Sequence, residues 1–216
     1  MDKDRWFSTP VNDTWCRLGG NGPINVSQIM PLIKFTHDGE SFLDVGCGSG
    51  TTIDAIQVIK RIVKYKGVDF IASRINWLRD HYHHCEFDIQ DASYLTEEDK
   101  SWDTVWSRHV IDHLDGFEQP MDEHCRVAKK RVICILWYSL HDGDEDIIKP
   151  IVDGPADNRK TYEDEYLNQY SRKKVKTYLE NKCKEGWQLI EFREEVSWEG
   201  DKKGKGSDTI IVLERI

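Results

Sequence analysis

No apolar run in this chain is long enough for a helix to cross a bilayer. The longest, Val132-Ile-Cys-Ile-Leu-Trp-Tyr138, has seven residues where a span needs about 20. Met1 to Phe7 hold no apolar stretch of the kind that directs secretion, so the expected location is the cytoplasm. Basic charge is in short supply: thirty Lys and Arg face thirty-nine Asp and Glu, a net charge of −9. A domain that grips a phosphate backbone carries a basic face, so nucleic acid is not the expected partner. Cys-x-x-Cys pairs are absent, and the six cysteines are widely spaced, several within apolar stretches. That pattern suits buried free thiols in a reducing compartment better than a disulfide framework or a zinc ribbon. Internal repeats and low-complexity tracts are also absent.

What the chain does have is enough apolar residue, 38 % of 216, for one core under a heavily charged surface. From Ser41 onward strand and helix patterns alternate. Short apolar runs at 41–46, 65–69, 85–89, 102–107 and 131–138 read as strands. Helical periodicity covers Thr51–Val63, Ser73–Tyr82 (with Ser73 as cap) and Phe117–Lys129. Such alternation predicts a doubly wound, mostly parallel α/β sheet with helices on both faces. The tail departs from it. Ser171 caps a helix that stops at Gly186, and two consecutive strands, 187–198 and 208–215, follow with only a polar turn between them. Two strands without an intervening helix pair as an antiparallel hairpin.

Residues 1–40, with Trp6, Phe7 and Trp15, read as an N-terminal segment that folds over a domain spanning 41–216. Within that domain, residues 139–166 form an insertion with nine acids and three bases, which carries two-thirds of the net charge. It follows the fifth strand and reads as an acidic lid favouring a neutral or cationic ligand, with a solvated loop as the simpler alternative. Asp142, Asp144, Asp146 and Asp153 imitate calcium-loop spacing, but Ile147 stands where that loop needs glycine, so no metal is expected. The cluster His81-Tyr-His-His-Cys85 spans a helix end and a strand start, where its side chains do not converge. The basic run Arg172-Lys-Lys174 reads as the exposed face of the last helix.

The strongest signal is Phe42-Leu-Asp-Val-Gly-Cys-Gly-Ser-Gly50, a strand entering a Gly-x-Gly-x-Gly turn before a helix. Glycines there let the backbone approach a ligand. A nicotinamide or flavin site calls for Gly-x-Gly-x-x-Gly, and Thr51 stands at the position of the third glycine. Asp69 ends the second strand, where a carboxylate can accept from both hydroxyls of a ribose.

With these motifs in this order, the chain resembles the class I S-adenosylmethionine-dependent methyltransferases of the small-domain "DVGCGSG" type, over roughly residues 41–138. The resemblance implies S-adenosylmethionine as cofactor. Asp44, Gly46, Gly48 and Gly50 would surround its methionine part, Asp69 its ribose and Phe70 its adenine; Asp91, with Ala92 beside it, would face the adenine amino group. Ser107-Arg-His-Val-Ile-Asp-His-Leu114 would pass beneath the methyl donor. No Asn-Pro-Pro-Tyr or Asp-Pro-Pro-Tyr follows the fourth strand, and no Pro-Cys stands there, which disfavours DNA methylation. The expected activity is methyl transfer to an O, N or S atom of a small-molecule acceptor. His109, Asp112, His113 and, further off, His141 are the candidates for taking its proton, His109 first and Asp112 as a partner orienting His113. A non-catalytic protein that keeps the cofactor pocket as a regulatory or scaffolding subunit is the competing class.

Overall fold

The structure is a computed structural model that describes residues 26–137, 139–148, 150–153, 160–166, 168–200 and 204–216. The segment with Trp6, Phe7 and Trp15 lies outside the described residues. Helix α1 (Val26–Phe35) leads into β1 (Ser41–Val45), then α2 (Thr51–Val58), β2 (Lys64–Asp69), α3 (Ala72–His81), β3 (Glu86–Ile89) and β4 (Trp102–Arg108). A 3₁₀ turn (Ile111–His113) follows, then α4 (Glu118–Val127), β5 (Ala128–Leu136), β6 (Pro150–Asp153), β7 (Lys160–Tyr166), α5 (Arg172–Lys184), β8 (Trp187–Gly200) and β9 (Gly204–Arg215).

One sheet runs β3-β2-β1-β4-β5-β9-β8. Its first five strands are parallel; β9 joins β5 antiparallel and pairs with β8 as the expected hairpin. The chain works outward from β1 to β3, then returns to β1's other side as β4. Right-handed crossovers therefore put α2 and α3 on one face and α4 on the other. Strand alternation supplies an apolar surface to each. Phe42, Trp106, Ile133, Ile135, Ile210 and Val212 pack with Leu32 of α1, Ile56 of α2 and Leu78 of α3. Leu43, Val45, Val105, Val132, Cys134 and Leu213 pack with Met121 of α4 and Val175 and Leu179 of α5. Burial on both faces is why these strands read as continuous apolar runs.

Several boundaries differ from the expectation. Helix α2 stops at Val58, not Val63, because Lys60 turns into the left-handed region (φ 56) and Arg61 then bonds back to the Ile56 carbonyl. Helix α3 starts before Ser73: Ile71 is its cap and its N–H donates to Asp69 Oδ1 at 2.9 Å. Ser171 does cap α5, accepting from the Lys174 N–H, and Gly186 (φ 92) follows the helix end. Helix α1 and the two-stranded β6–β7 sheet were not expected, the latter inside the acidic insertion.

Four acids of the insertion have partners at the start of the last helix. Asp142 pairs with Arg172 at 2.8 Å, Asp144 with Lys173 at 2.7 Å and Glu145 with Lys174 at 2.7 Å. Asp146 accepts from the Ser171 N–H at 2.7 Å. The acidic stretch and the basic run of the last helix are thus each other's partners, laid against the positive end of the α5 dipole. These four acids are neutralised at least in part by the cations of that helix.

His124 of α4 is fully buried, and neither ring nitrogen has a hydrogen-bond partner. Burial pushes it down to about 4 from its ordinary 6.5. With the folded value below the unfolded one, the unfolded chain takes up the proton first as pH falls. Stability held by neutral His124 is therefore intact above about pH 6.5 and drains away between 6.5 and 4. His124→Leu removes this dependence. Relative to the variant, the wild type loses about 2 kcal/mol between pH 7.5 and pH 5. Urea midpoints at the two pH values measure it; parallel pH profiles for the two chains would contradict the assignment.

Candidate active site

Strand order reverses between β1 and β4, and in open α/β sheets the carboxyl edge at such a point is where ligands bind. A cleft of about 330 Å³ lies there, lined by Gly46, Asp69, Phe70, Ile71, Arg74, Ile89, Gln90, Asp91, Ala92, His109, Val110, His113 and Leu114. Seven of the residues singled out from sequence are brought together in it: Gly46, Asp69, Phe70, Asp91, Ala92, His109 and His113.

Asp69 organises the adjoining turns. Its Oδ2 accepts from the Gly48 N–H at 3.0 Å and its Oδ1 from the Ile71 N–H, while its carbonyl takes the Gln90 N–H at 3.1 Å. Burial raises its pKa, opposed by Arg74 and these two N–H groups. A carboxylate has about four acceptor sites, so two bonds within the protein leave room for ligand hydroxyls. Asp91 is exposed, and its Oδ1 accepts from the Ser93 N–H at 2.8 Å, which fixes the turn it sits in. Gln90 holds the same turn from behind, donating to Glu97 and accepting from the Thr96 N–H, both at 2.9 Å.

The remaining predicted residues lie outside the lining. Asp44 is buried beneath the glycine turn and accepts from the Tyr65 hydroxyl at 2.7 Å; burial lifts it to about 7. Gly48 serves through its N–H, and Gly50 precedes α2 as its cap. Ser107 is buried within the sheet, opposite Val45, with no partner for its hydroxyl. Asp112 does not orient His113: its Oδ2 accepts from the Trp137 N–H at 3.1 Å, and burial raises it to about 7. His141 turns into its own loop, its Nδ1 accepting from the Gly143 N–H at 3.0 Å.

His109 is held from three sides. Its backbone is left-handed (φ 55), with its N–H on the Ile135 carbonyl at 2.8 Å. Its ring stacks on Trp137 (centroids 5.0 Å, 22°), and its Nε2 meets Oδ1 of the fully buried Asp208 at 3.1 Å. Burial pushes the imidazole down to about 4, helped by the neighbouring Arg108 cation and opposed by Asp208. His113 lies edge-on to the same Trp137, centroids 6.2 Å apart. Sequence reading missed Arg74, Gln90, Trp137 and Asp208; the last is 99 positions from the histidine it holds.

Comparison with known proteins bears on this cleft. The family model described as a methyltransferase domain matches residues 43–136, the stretch from β1 through β5. The ubiquinone biosynthesis O-methyltransferase of Coxiella burnetii is 27 % identical over 132 residues, which cover 57 % of this chain and 55 % of that protein. The ajmaline N-methyltransferase of Rauvolfia serpentina is 28 % identical over 127 residues, covering 54 % and 43 %. Among solved structures, an S-adenosylmethionine-dependent methyltransferase of Methanosarcina mazei superposes with a TM-score of 0.67 at 14 % identity, covering 86 % of this chain and 96 % of that one.

Residues 43–136 are similar to the methyltransferase domain family, and the fold is that of S-adenosylmethionine-dependent methyltransferases of known structure.

The chain spans about half the length of the curated relatives it matches. Its cleft fits the cofactor on the structure's own evidence. Gly46 stands at φ 74, and a Cβ there would lie 2.1 Å from Val110 Cγ2, so the turn closes on the following wall only because no side chain intervenes. From β3 to β4 the edge presents Asp91, Asp69, Gly46 and His109 in turn, a width of three strand spacings or about 14 Å. An adenosine with an amino-acid tail has that reach.

Gly46→Ala combines left-handed strain of about 1 kcal/mol with overpacking of about 1–3 kcal/mol. Val110→Ala relieves the second part. A double-mutant cycle read by urea denaturation is expected to give a coupling above about 1 kcal/mol, and strict additivity would show that the contact is not what the substitution breaks.

Proposed function

We propose that the chain methylates a hydroxyl oxygen or an amine nitrogen of a small organic acceptor, with His109 as the group that takes the acceptor's proton. The observation that carries this reading is the cleft itself, where carboxylates of β2 and the β3 turn stand at one end and an oriented imidazole of β4 at the other. The relatives support the acceptor class: one is an O-methyltransferase of ubiquinone biosynthesis and the other an N-methyltransferase named for ajmaline.

Asp69 would accept from the ribose hydroxyls and Asp91 from the adenine amino group, with Phe70 and Ala92 against the ring, while Gly46 and Gly48 leave room for the methionine part. When bound, the cofactor supplies an electrophilic methyl group on a sulfonium whose departure needs no acid. The chain's own tasks are then alignment, exclusion of water and, for a hydroxyl or a protonated amine, proton removal. Asp208 accepts from Nε2–H of His109, which selects the tautomer whose Nδ1 lone pair is free to receive a proton. Burial beside Arg108 keeps that imidazole neutral at physiological pH.

Two outcomes test this reading. S-adenosylhomocysteine binds in calorimetry and nicotinamide dinucleotides do not. Asp69→Ala weakens that binding by about 1.5–3 kcal/mol, since a charged acceptor of two hydroxyls is lost. Undiminished affinity in a folded variant would displace the ribose from Asp69. With a panel of phenols and amines as acceptors, His109→Ala slows release of S-adenosylhomocysteine by about 10²–10⁴-fold at unchanged cofactor affinity. A rate within a few-fold of the parent would make His109 a packing residue.

A further inference from the structure

Arg108 is the last residue of β4, and apart from its field on His109 no task assigned so far uses it. Its side chain shares the sheet face of Thr104 and Trp106, at the level of Gly46 on β1 and opposite Ile135 on β5. The guanidinium lies in the fields of Asp44 and Asp208, yet its Nε is buried with no hydrogen-bond partner, and no described residue bonds its other nitrogens. Both neighbouring carboxylates are engaged elsewhere, Asp44 by the Tyr65 hydroxyl and Asp208 by His109.

Other guanidiniums among the described residues are treated differently. Arg131 bonds Glu40, Thr104 and Glu214. Arg126 bonds Glu123, Asp99 and two carbonyls. Arg61 and Arg215, whose Nε atoms also lack partners, each reach carbonyls through Nη2. A sheltered cation with no bonded acceptor is costly to keep, and a ligand group is the ordinary reason for keeping one.

We propose that Arg108, which directly precedes the lining residue His109 without itself lining the cleft, receives a carboxylate beside it at the strand-order reversal between β1 and β4, from the methionine end of the cofactor or from the acceptor. The proposal rests on the methyltransferase reading above. A planar fork of donors matches a carboxylate in a bidentate way. A singly charged group suits the place better than a phosphate, because Asp44 and Asp208 flank it and would repel a dianion. Binding there also acts on the adjacent base: Arg108 is one of the charges that lower His109, so neutralising it makes the imidazole a better proton acceptor once the site is loaded.

The test compares wild type with Arg108→Gln, and with Arg108→Met as a second variant of similar shape. Removing a cation that has no bonded partner is expected to leave the melting temperature unchanged or raised. In the first arm, calorimetry measures S-adenosylhomocysteine against its decarboxylated analogue. In the second, protein saturated with S-adenosylhomocysteine is titrated with 4-hydroxybenzoate and with 4-hydroxybenzamide, which share a shape but differ in charge and in one acceptor oxygen replaced by an N–H donor group. Wild type is expected to favour the carboxylate at least tenfold in one arm, and both variants to bring that ratio within twofold of unity. The arm in which this happens names the source, and Arg108→Lys restores part of the preference. Ratios that the variants leave untouched in both arms overturn the proposal while the methyltransferase reading stands. Failure of wild type to bind S-adenosylhomocysteine at all overturns that reading and the proposal with it.

Discussion

The carboxylate of Asp69 is the point on which the ligand edge depends. One oxygen holds the Gly48 N–H of the glycine turn, the other the Ile71 N–H at the start of α3, and its carbonyl holds the residue after β3. Three chain segments are thereby indexed to one residue at the end of β2. The Gly46 and Cys47 N–H groups complete the arrangement by sharing the Val68 carbonyl, one residue earlier on the same strand. The glycine turn is consequently pinned to a neighbouring strand through backbone groups, and its shape does not rely on its own side chains. A ligand hydroxyl arriving at Asp69 meets an acceptor already fixed in direction, which lowers the ordering entropy that binding must overcome.

A second constraint is the low polarity just behind that edge. Asp44 and Asp112 are both lifted to about 7 by burial, His109 is pushed down to about 4, and Arg108 is lowered in the same way. Each shift has the same cause, loss of water around an ionisable group at the end of β1 or β4. In such a layer charges interact over longer distances than they do in water. Concentration of perturbed groups at one place in a fold is itself a mark of a working site, here at the carboxyl edge of the sheet.

The parts legible in sequence are those whose requirements are local. A strand, three glycines and a helix stand within a dozen residues, and each type is demanded by a turn that residues 42–52 specify by themselves. Asp69 and Asp91 follow at strand ends for the same reason, and the two tail strands without a helix between them required a hairpin. What escaped was decided by distant partners. Ile62 continues the apolar period of α2, but it is exposed, because Lys60 ends the helix before that turn is reached. Helix α1 contains Pro31, which argues against a helix from propensity alone; buried Leu32 and Phe35 join the core it packs on. The partners of the acids at 142–146, Arg172 to Lys174, lie nearly thirty residues on, so their pairing was not legible in composition. Charge runs are ambiguous in just this way: composition states how much charge there is and nothing about what it faces.

Asp208 shows why the antiparallel end of the sheet matters. In a parallel sheet every strand brings its last residues to the ligand edge, so only residues late in a strand or just after it can contribute. Strand β9 runs the other way, inserted between β5 and β8, and therefore brings its early residues to that edge. Thr209 pairs with Leu136 at the end of β5, which leaves Asp208 at the level of Trp137, beside the end of β4. A carboxylate from the far end of the chain thus arrives under an imidazole that is itself turned by a left-handed backbone and backed by Trp137. Reversing one strand is a topological change, yet its consequence is chemical. It brings to the ligand edge a buried acceptor from the early part of a strand, and sets it where the tautomer of His109 is decided.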